Sequence, residues 1–173
     1  PVPARQHVAE RGQVPVRHPA ILGLTSADLN HDDVLTANLS TINVTTAGFF
    51  DLAKDAKDEK LEPLIQTSSD ATTVPSDRLR MLGDPSALLA DYKPAGNPFV
   101  IAARLTGKLK TAFPERKGDG ALAESKDDAQ VVLVADTDIL SDRMWVQVRS
   151  FLGQSIMNAF ANNGDFAVNA LDN

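Results

Sequence analysis

Short apolar runs, separated by stretches rich in proline, glycine and charge, set the pattern of this chain. Ala20-Ile21-Leu22-Gly23-Leu24, bounded by Pro19 and by Thr25-Ser26, predicts a buried strand. Thr41-Ile42-Asn43-Val44-Thr45 alternates with period two and is β-branched at most positions, which predicts a half-buried strand. Residues 61–67 predict another, at a sheet edge because Pro63 has no N–H to donate. Residues 97–105 predict a fourth, ended by Gly107. The strongest element is Val131-Val132-Leu133-Val134-Ala135, a continuous run without alternation, as in a strand buried on both faces of a parallel sheet. Parallel strands need helices over both faces. The expected fold class is therefore α/β, a mostly parallel sheet flanked by helices.

The segments between these runs carry helix and turn signals. Residues 30–37 predict one or two helical turns, with Asn30 as N-cap and Asp32 and Asp33 at the positive end. Residues 76–82 and 85–91 predict short helices, the second capped by Asp84 with Pro85 in its first turn. From residue 145 to 162 the period is ambiguous. Trp145, Val148, Leu152, Ile156 and Ala159 fit one helical face, whereas residues 145–149 also fit a short strand. Asn162-Asn163-Gly164 is expected to stop that segment, and Asp165 to cap a final helix through Leu171. Residues 1–19 contain four prolines and predict an extended lead-in, leaving 20–173 as the α/β domain. Residues 51–60, dense in charges of both signs, predict a solvated turn, and residues 115–128 a mobile loop between strands.

Composition narrows the function. At 173 residues, with 43% hydrophobic and 23% charged, the chain has the make-up of an ordinary globular domain. Seventeen Lys+Arg against 23 Asp+Glu give a net charge of −6, so there is no general attraction for phosphate polymers. Aromatic residues, at 5%, are too few for a base-stacking surface, and nucleic acid is not an expected partner. Cysteine is absent, which removes disulfides, thiolate metal sites and a Cys nucleophile together. His7, His18 and His31 are scattered and form no zinc-binding pair. No metal or other cofactor is expected. No run of ~20 apolar residues spans a membrane and no signal peptide opens the chain, so the expectation is a soluble protein or a soluble piece of a longer one.

The sharpest chemical candidate is Asp136-Thr137-Asp138, directly after the apolar run. Carboxylates at the end of a parallel strand lie where α/β proteins bind ligands, and two of them can share a cation such as Mg²⁺. The same residues also suit an Asx turn that caps the segment around Ser141 and Asp142. Asp136, Asp138 and Asp142 are thus the candidate ligand-binding residues, with a Mg²⁺-dependent hydrolase or phosphotransferase as one reading. The loop is similar to the nucleophile loop of haloacid-dehalogenase-type phosphotransferases, but too little chain follows Asp138 for the rest of that domain. Gly107-Lys108 lacks the first glycine and the hydroxyl of a P-loop, and Gly153-Gln154-Ser155 lacks the closing glycine of a nucleophile elbow. Arg78 and Arg80 suit either an anionic-ligand patch or the polar face of a short helix. Trp145 suits either an exposed interaction anchor or packing.

Residues 134–143, together with Ala161-Asn162-Asn163-Gly164-Asp165-Phe166-Ala167-Val168-Asn169-Ala170-Leu171-Asp172-Asn173, resemble the GldG-like family of ABC-transport auxiliary proteins, associated with gliding motility. Residues 30–39, Ile42-Asn43 through Ala47-Gly48, and Ser68-Ser69-Asp70-Ala71 share the likeness. Its most distinctive part is the final block, with Asn163, Gly164, Asp165, Asn169, Asp172 and Asn173 as the family-motif positions. Ala135 departs from it, since related sequences tend to carry Gly there. The resemblance implies a domain similar to the class I glutamine-amidotransferase-like (ThuA-like) fold. It further implies an extracytoplasmic (periplasmic) place beside the bacterial inner membrane, anchored by segments outside this chain. The implied partners are ABC-2-type permease and ATPase subunits, and the implied action is binding, with no enzymatic activity and no catalytic residue. The absence of cysteine agrees, because an amidotransferase needs a thiol nucleophile. A soluble sugar- or peptide-binding module is the remaining alternative.

Overall fold

The computed structural model describes residues 18–54, 56–80, 83–151 and 153–173. The lead-in expected over residues 1–19 therefore lies outside the described residues up to position 17, as do positions 81 and 82 of the expected helix at 76–82. Seven strands and three short α-helices follow in chain order. They are β1 (Ile21–Thr25), β2 (Thr41–Thr45), β3 (Lys60–Gln66), α1 (Ser76–Arg80), β4 (Val100–Gly107), β5 (Ala129–Val134), α2 (Asp142–Trp145), β6 (Val146–Phe151), β7 (Gln154–Ala159) and α3 (Asn163–Asp172). Every pairing among these strands is antiparallel. β1 pairs with β2, β3, β4 and β5 form a three-stranded sheet in that order, and β6 pairs with β7.

This overturns the expected mostly parallel sheet flanked by helices, and with it the amidotransferase-like architecture. The reason lies in the chain between β4 and β5. A parallel neighbour requires a crossover, usually a helix. Residues 108–128 form none; they fold back through a bridge between Lys110 and Glu124, flanked by Thr111 N–H to Ala123 O and Ser125 N–H to Leu109 O, and return the chain beside β4. The valine-rich β5 is consequently an edge strand, its side chains only half-buried. In this sheet the strand buried on both faces is β4, whose Ile101, Ala102 and Ala103 are inaccessible and whose alanines let neighbours approach closely. Gly107 ends it at a φ of 120°, where a Cβ would strike the main chain of Asp58.

Other expectations hold in kind. Pro63 lies at a break in register on β3, the outer strand of its three-stranded sheet, where its missing N–H is tolerated. Asp84 caps the turn at Pro85–Leu89 by accepting from Ser86 N–H, although the turn is 3-10 rather than α. The core sits between β1–β2 and the larger sheet. Leu24, Leu35, Ile42, Val44, Leu64, Ile65 and Ile101 are inaccessible there, and Phe166 of α3 packs into the same cluster. Bridges from Leu29 to Ile65 and from Phe50 to Val100 tie the two layers at their margins.

One ion pair crosses this core's rim. Arg104 of β4 donates from Nε and Nη2 to the two carboxylate oxygens of Asp33, both at 2.9 Å, and from Nη1 to Asn173 Oδ1 at 3.2 Å and Gln130 Oε1 at 3.3 Å. Asp33 also holds its own turn by accepting from Leu35 N–H. The guanidinium beside it outweighs burial and holds the Asp33 carboxyl below the usual Asp range. Its stabilisation is therefore full above the unfolded-state pKa and is lost as pH falls through the lowered folded-state value. Arg104→Met is expected to cost about 3 kcal/mol in urea denaturation, because Asp33 is left buried and unpaired. Asp33→Asn should flatten the acid limb of the stability-versus-pH curve.

Candidate functional site

The candidate carboxylates lie in the turn that leaves β5. Ala135 continues the sheet's bonding, donating to Ile101 O at 2.8 Å and accepting from Gly48 N–H at 2.7 Å. Asp136, 6% exposed, then turns inward. Its Oδ2 accepts from Thr45 N–H at 2.8 Å and its Oδ1 from Asp138 N–H at 2.7 Å, the second bond being an Asx turn. Burial pushes its carboxyl above the usual Asp range, against the pull of those two N–H donors. Its pH dependence thus runs opposite to that of Asp33, since its contribution is full below the unfolded-state pKa and declines as pH rises through the raised value. Asp138 is half-exposed, 3.6 Å from Arg143 Nη2, and its main-chain oxygen accepts from Ser141 N–H. Asp142 opens α2 and is exposed. Among the described residues, no three His, Cys, Asp or Glu side chains gather as a metal site would require.

Of the family-motif residues, Asn163 reaches the same junction from α3. Asn163 is inaccessible. Its Nδ2 donates to Asn43 O and to Ile139 O, both at 2.7 Å, and its Oδ1 accepts from Asn43 N–H at 3.1 Å. Asn43 in turn donates from its side chain to Met144 O at 2.6 Å. Asp165 accepts from Asn162 Nδ2 at 2.8 Å, and Asn162 Oδ1 receives Ser40 N–H, Ser40 Oγ–H and Thr41 N–H. Asn169 donates to Leu35 O and Asn173 accepts from Arg104. Asp172 is exposed in the last turn of α3.

Gly164 has a steric duty. The Trp145 ring lies against it, and a Cβ there would come within 2.6 Å of two ring carbons. Trp145 is accordingly half-buried, with its indole N–H donating to Leu140 O at 3.3 Å. Of the two readings of residues 145–162, the helical face fails and the short strand at 145–149 holds in kind, because β6 and β7 form a hairpin. Asn162-Asn163-Gly164 begins a helix instead of stopping one, with Asn162 at the N-cap position. Arg78 lies 3.6 Å from Asp91 on an exposed face.

Two groups make bonds that their place in the sequence does not predict. Asn43 is a polar residue amid Ile42 and Val44, and that interruption of a β-branched run was the available signal. His31 has Nδ1 at 3.0 Å from Ala37 O and Nε2 at 2.8 Å from Ser26 O, and these two carbonyls raise its pKa. Nothing in its spacing announced that.

A profile of the ABC-type uncharacterized transport system family, an auxiliary family of ABC transporters, matches residues 2–170. The chain belongs to this family. No curated protein and no solved structure matches it. As an ABC-transport auxiliary component it is tied to transporter subunits and to a membrane system. None of its described helices is long and apolar enough to cross a membrane. In this auxiliary domain, Asn163→Ala should lower stability by about 3 kcal/mol, since it strands several buried main-chain groups. Gly164→Ala should lower it by about 1–3 kcal/mol through overpacking against Trp145. Urea midpoints for the two variants check both.

Proposed function

We propose that this chain is a non-catalytic extracytoplasmic domain of an ABC-2-type transport system that works by binding the permease and, through it, the complex with the ATPase. The observation that carries this reading is where the distinctive polar residues are spent. Asp136, Asn163, Asp165 and Asn169 all direct their side-chain bonds to main-chain groups or to a capping partner, and so hold loops and a helix in place. Such an arrangement builds a fixed surface, which is what a docking subunit needs. The block from Gly164 through Asn173 further supports a place in the GldG-like, gliding-associated branch of the family.

The periplasmic placement and the partnership are tested separately. These 173 residues hold no cysteine, so Leu171→Cys at an 87% exposed position adds a reporter thiol whose labelling is read against the unsubstituted protein. In intact cells, a membrane-impermeant maleimide should label it without lysis. Labelling only after lysis would place the domain in the cytoplasm and overturn the extracytoplasmic reading. Affinity capture of the domain in detergent should retain the permease encoded with it. Capture of neither permease nor ATPase would overturn the binding reading.

A further inference from the structure

The β6–β7 hairpin is a ribbon that pairs with no other strand of the described residues, and β7 is exposed at all six positions. A lone two-stranded ribbon is marginally stable in water. Proteins commonly protect such edges with Lys, Pro or a bulge. This ribbon has none of the three: its register runs unbroken from Val146↔Ala159 to Phe151↔Gln154. One face sets Val148, 53% exposed, opposite Met157, 69% exposed.

Charge identifies what fits this edge. From Met144 to Gly164 the single charged side chain is Arg149, in a chain whose net charge is −6. Two copies of an acidic chain repel on net charge, and a region emptied of charge brings them together with the least repulsion. Interface cores are depleted in this way. Pairing through β6 would set Arg149 close to its own copy near the middle of the strand, whereas β7 carries no charge at all.

Hydrogen-bond phase selects a register. Phe160 N–H donates to Trp145 O across the base of the ribbon, which directs the even-numbered N–H groups of β7 toward β6. The N–H groups of Ser155, Met157 and Ala159 then face the open edge. We propose that β7 pairs antiparallel with β7 of a second copy, with Met157 on the two-fold axis and Ser155 opposite the partner's Ala159. This register uses all three outward donors of each copy. It also produces a four-stranded sheet whose one face carries a continuous apolar strip of Val148 and Met157 from both chains, a self-complementary contact of the kind closed dimers use.

Sedimentation equilibrium of the full chain tests this at concentrations up to about 100 μM, a range that captures even a weak dimer. The expected mass is twice 18.5 kDa. Met157→Lys puts two ammonium groups on the axis and should return the mass to a single chain, with the melting temperature that the wild-type chain shows at dilutions where it is single. Ser155→Lys should do the same, and decides the matter if the first variant melts early. Met157→Cys, the one thiol in the chain, should give a disulfide-linked dimer on oxidation. A wild-type chain that stays single across the range overturns the proposal. So does a dimer that survives both Lys variants, which puts the interface elsewhere, or a ribbon that binds lipid vesicles while the chain stays single.

Discussion

The structure depends on satisfying polar groups that the core has taken away from water. Asn163 is the clearest case, since its carboxamide is inaccessible and yet uses both amide protons and its oxygen on main-chain atoms of β2 and of the turn after β5. A buried amide without partners costs about 1–3 kcal/mol per orphaned group, so the three segments must meet in one arrangement or not bury it at all. The Asn43 bond to Met144 O and the Asp136 bond to Thr45 N–H extend the same requirement along β2. Apolar packing gives this domain its cohesion. These bonds specify which loop lies where.

How much of this was legible in the sequence depends on the range of the interaction concerned. Local signals translated well: β-branched alternation placed β2, Pro63 marked an edge, and Asp84 with Pro85 began a turn. Sheet direction did not translate, because it is decided by how a connection travels in space. The run at β5 looks the same whether its neighbour is parallel or antiparallel, and only the fold-back at Lys110 and Glu124 settles it. Residues 145–162 stay open between helix and strand for a related reason. Their apolar positions satisfy periods of both 3.6 and 2, and the turn at Gly153, with φ of 78°, decides for the hairpin.

For the candidate site, the sequence names residues and not their bonds. Asp136 and Asp138 are joined by an Asx turn after β5, and Asn163 to Asp172 form α3. Their spacing could not show that the acceptor oxygens of Asp136 would be met by Thr45 and Asp138 N–H, because Thr45 arrives from far upstream. Membership in the ABC-type transport family supplies the context that geometry alone does not. A domain whose polar residues brace its own loops is suited to presenting a shape to other subunits.

The bonds of Asn162, Asn163 and Asn169 reach back across 122, 120 and 134 positions to Ser40, Asn43 and Leu35, and Phe166 enters the core from the same helix. Completing the core therefore waits for α3. Until that helix is in place, Asn43 and Ile139 lack the Asn163 carboxamide and the apolar cluster lacks Phe166. Contacts of such sequence separation also form slowly. α3 works as the bolt of the fold.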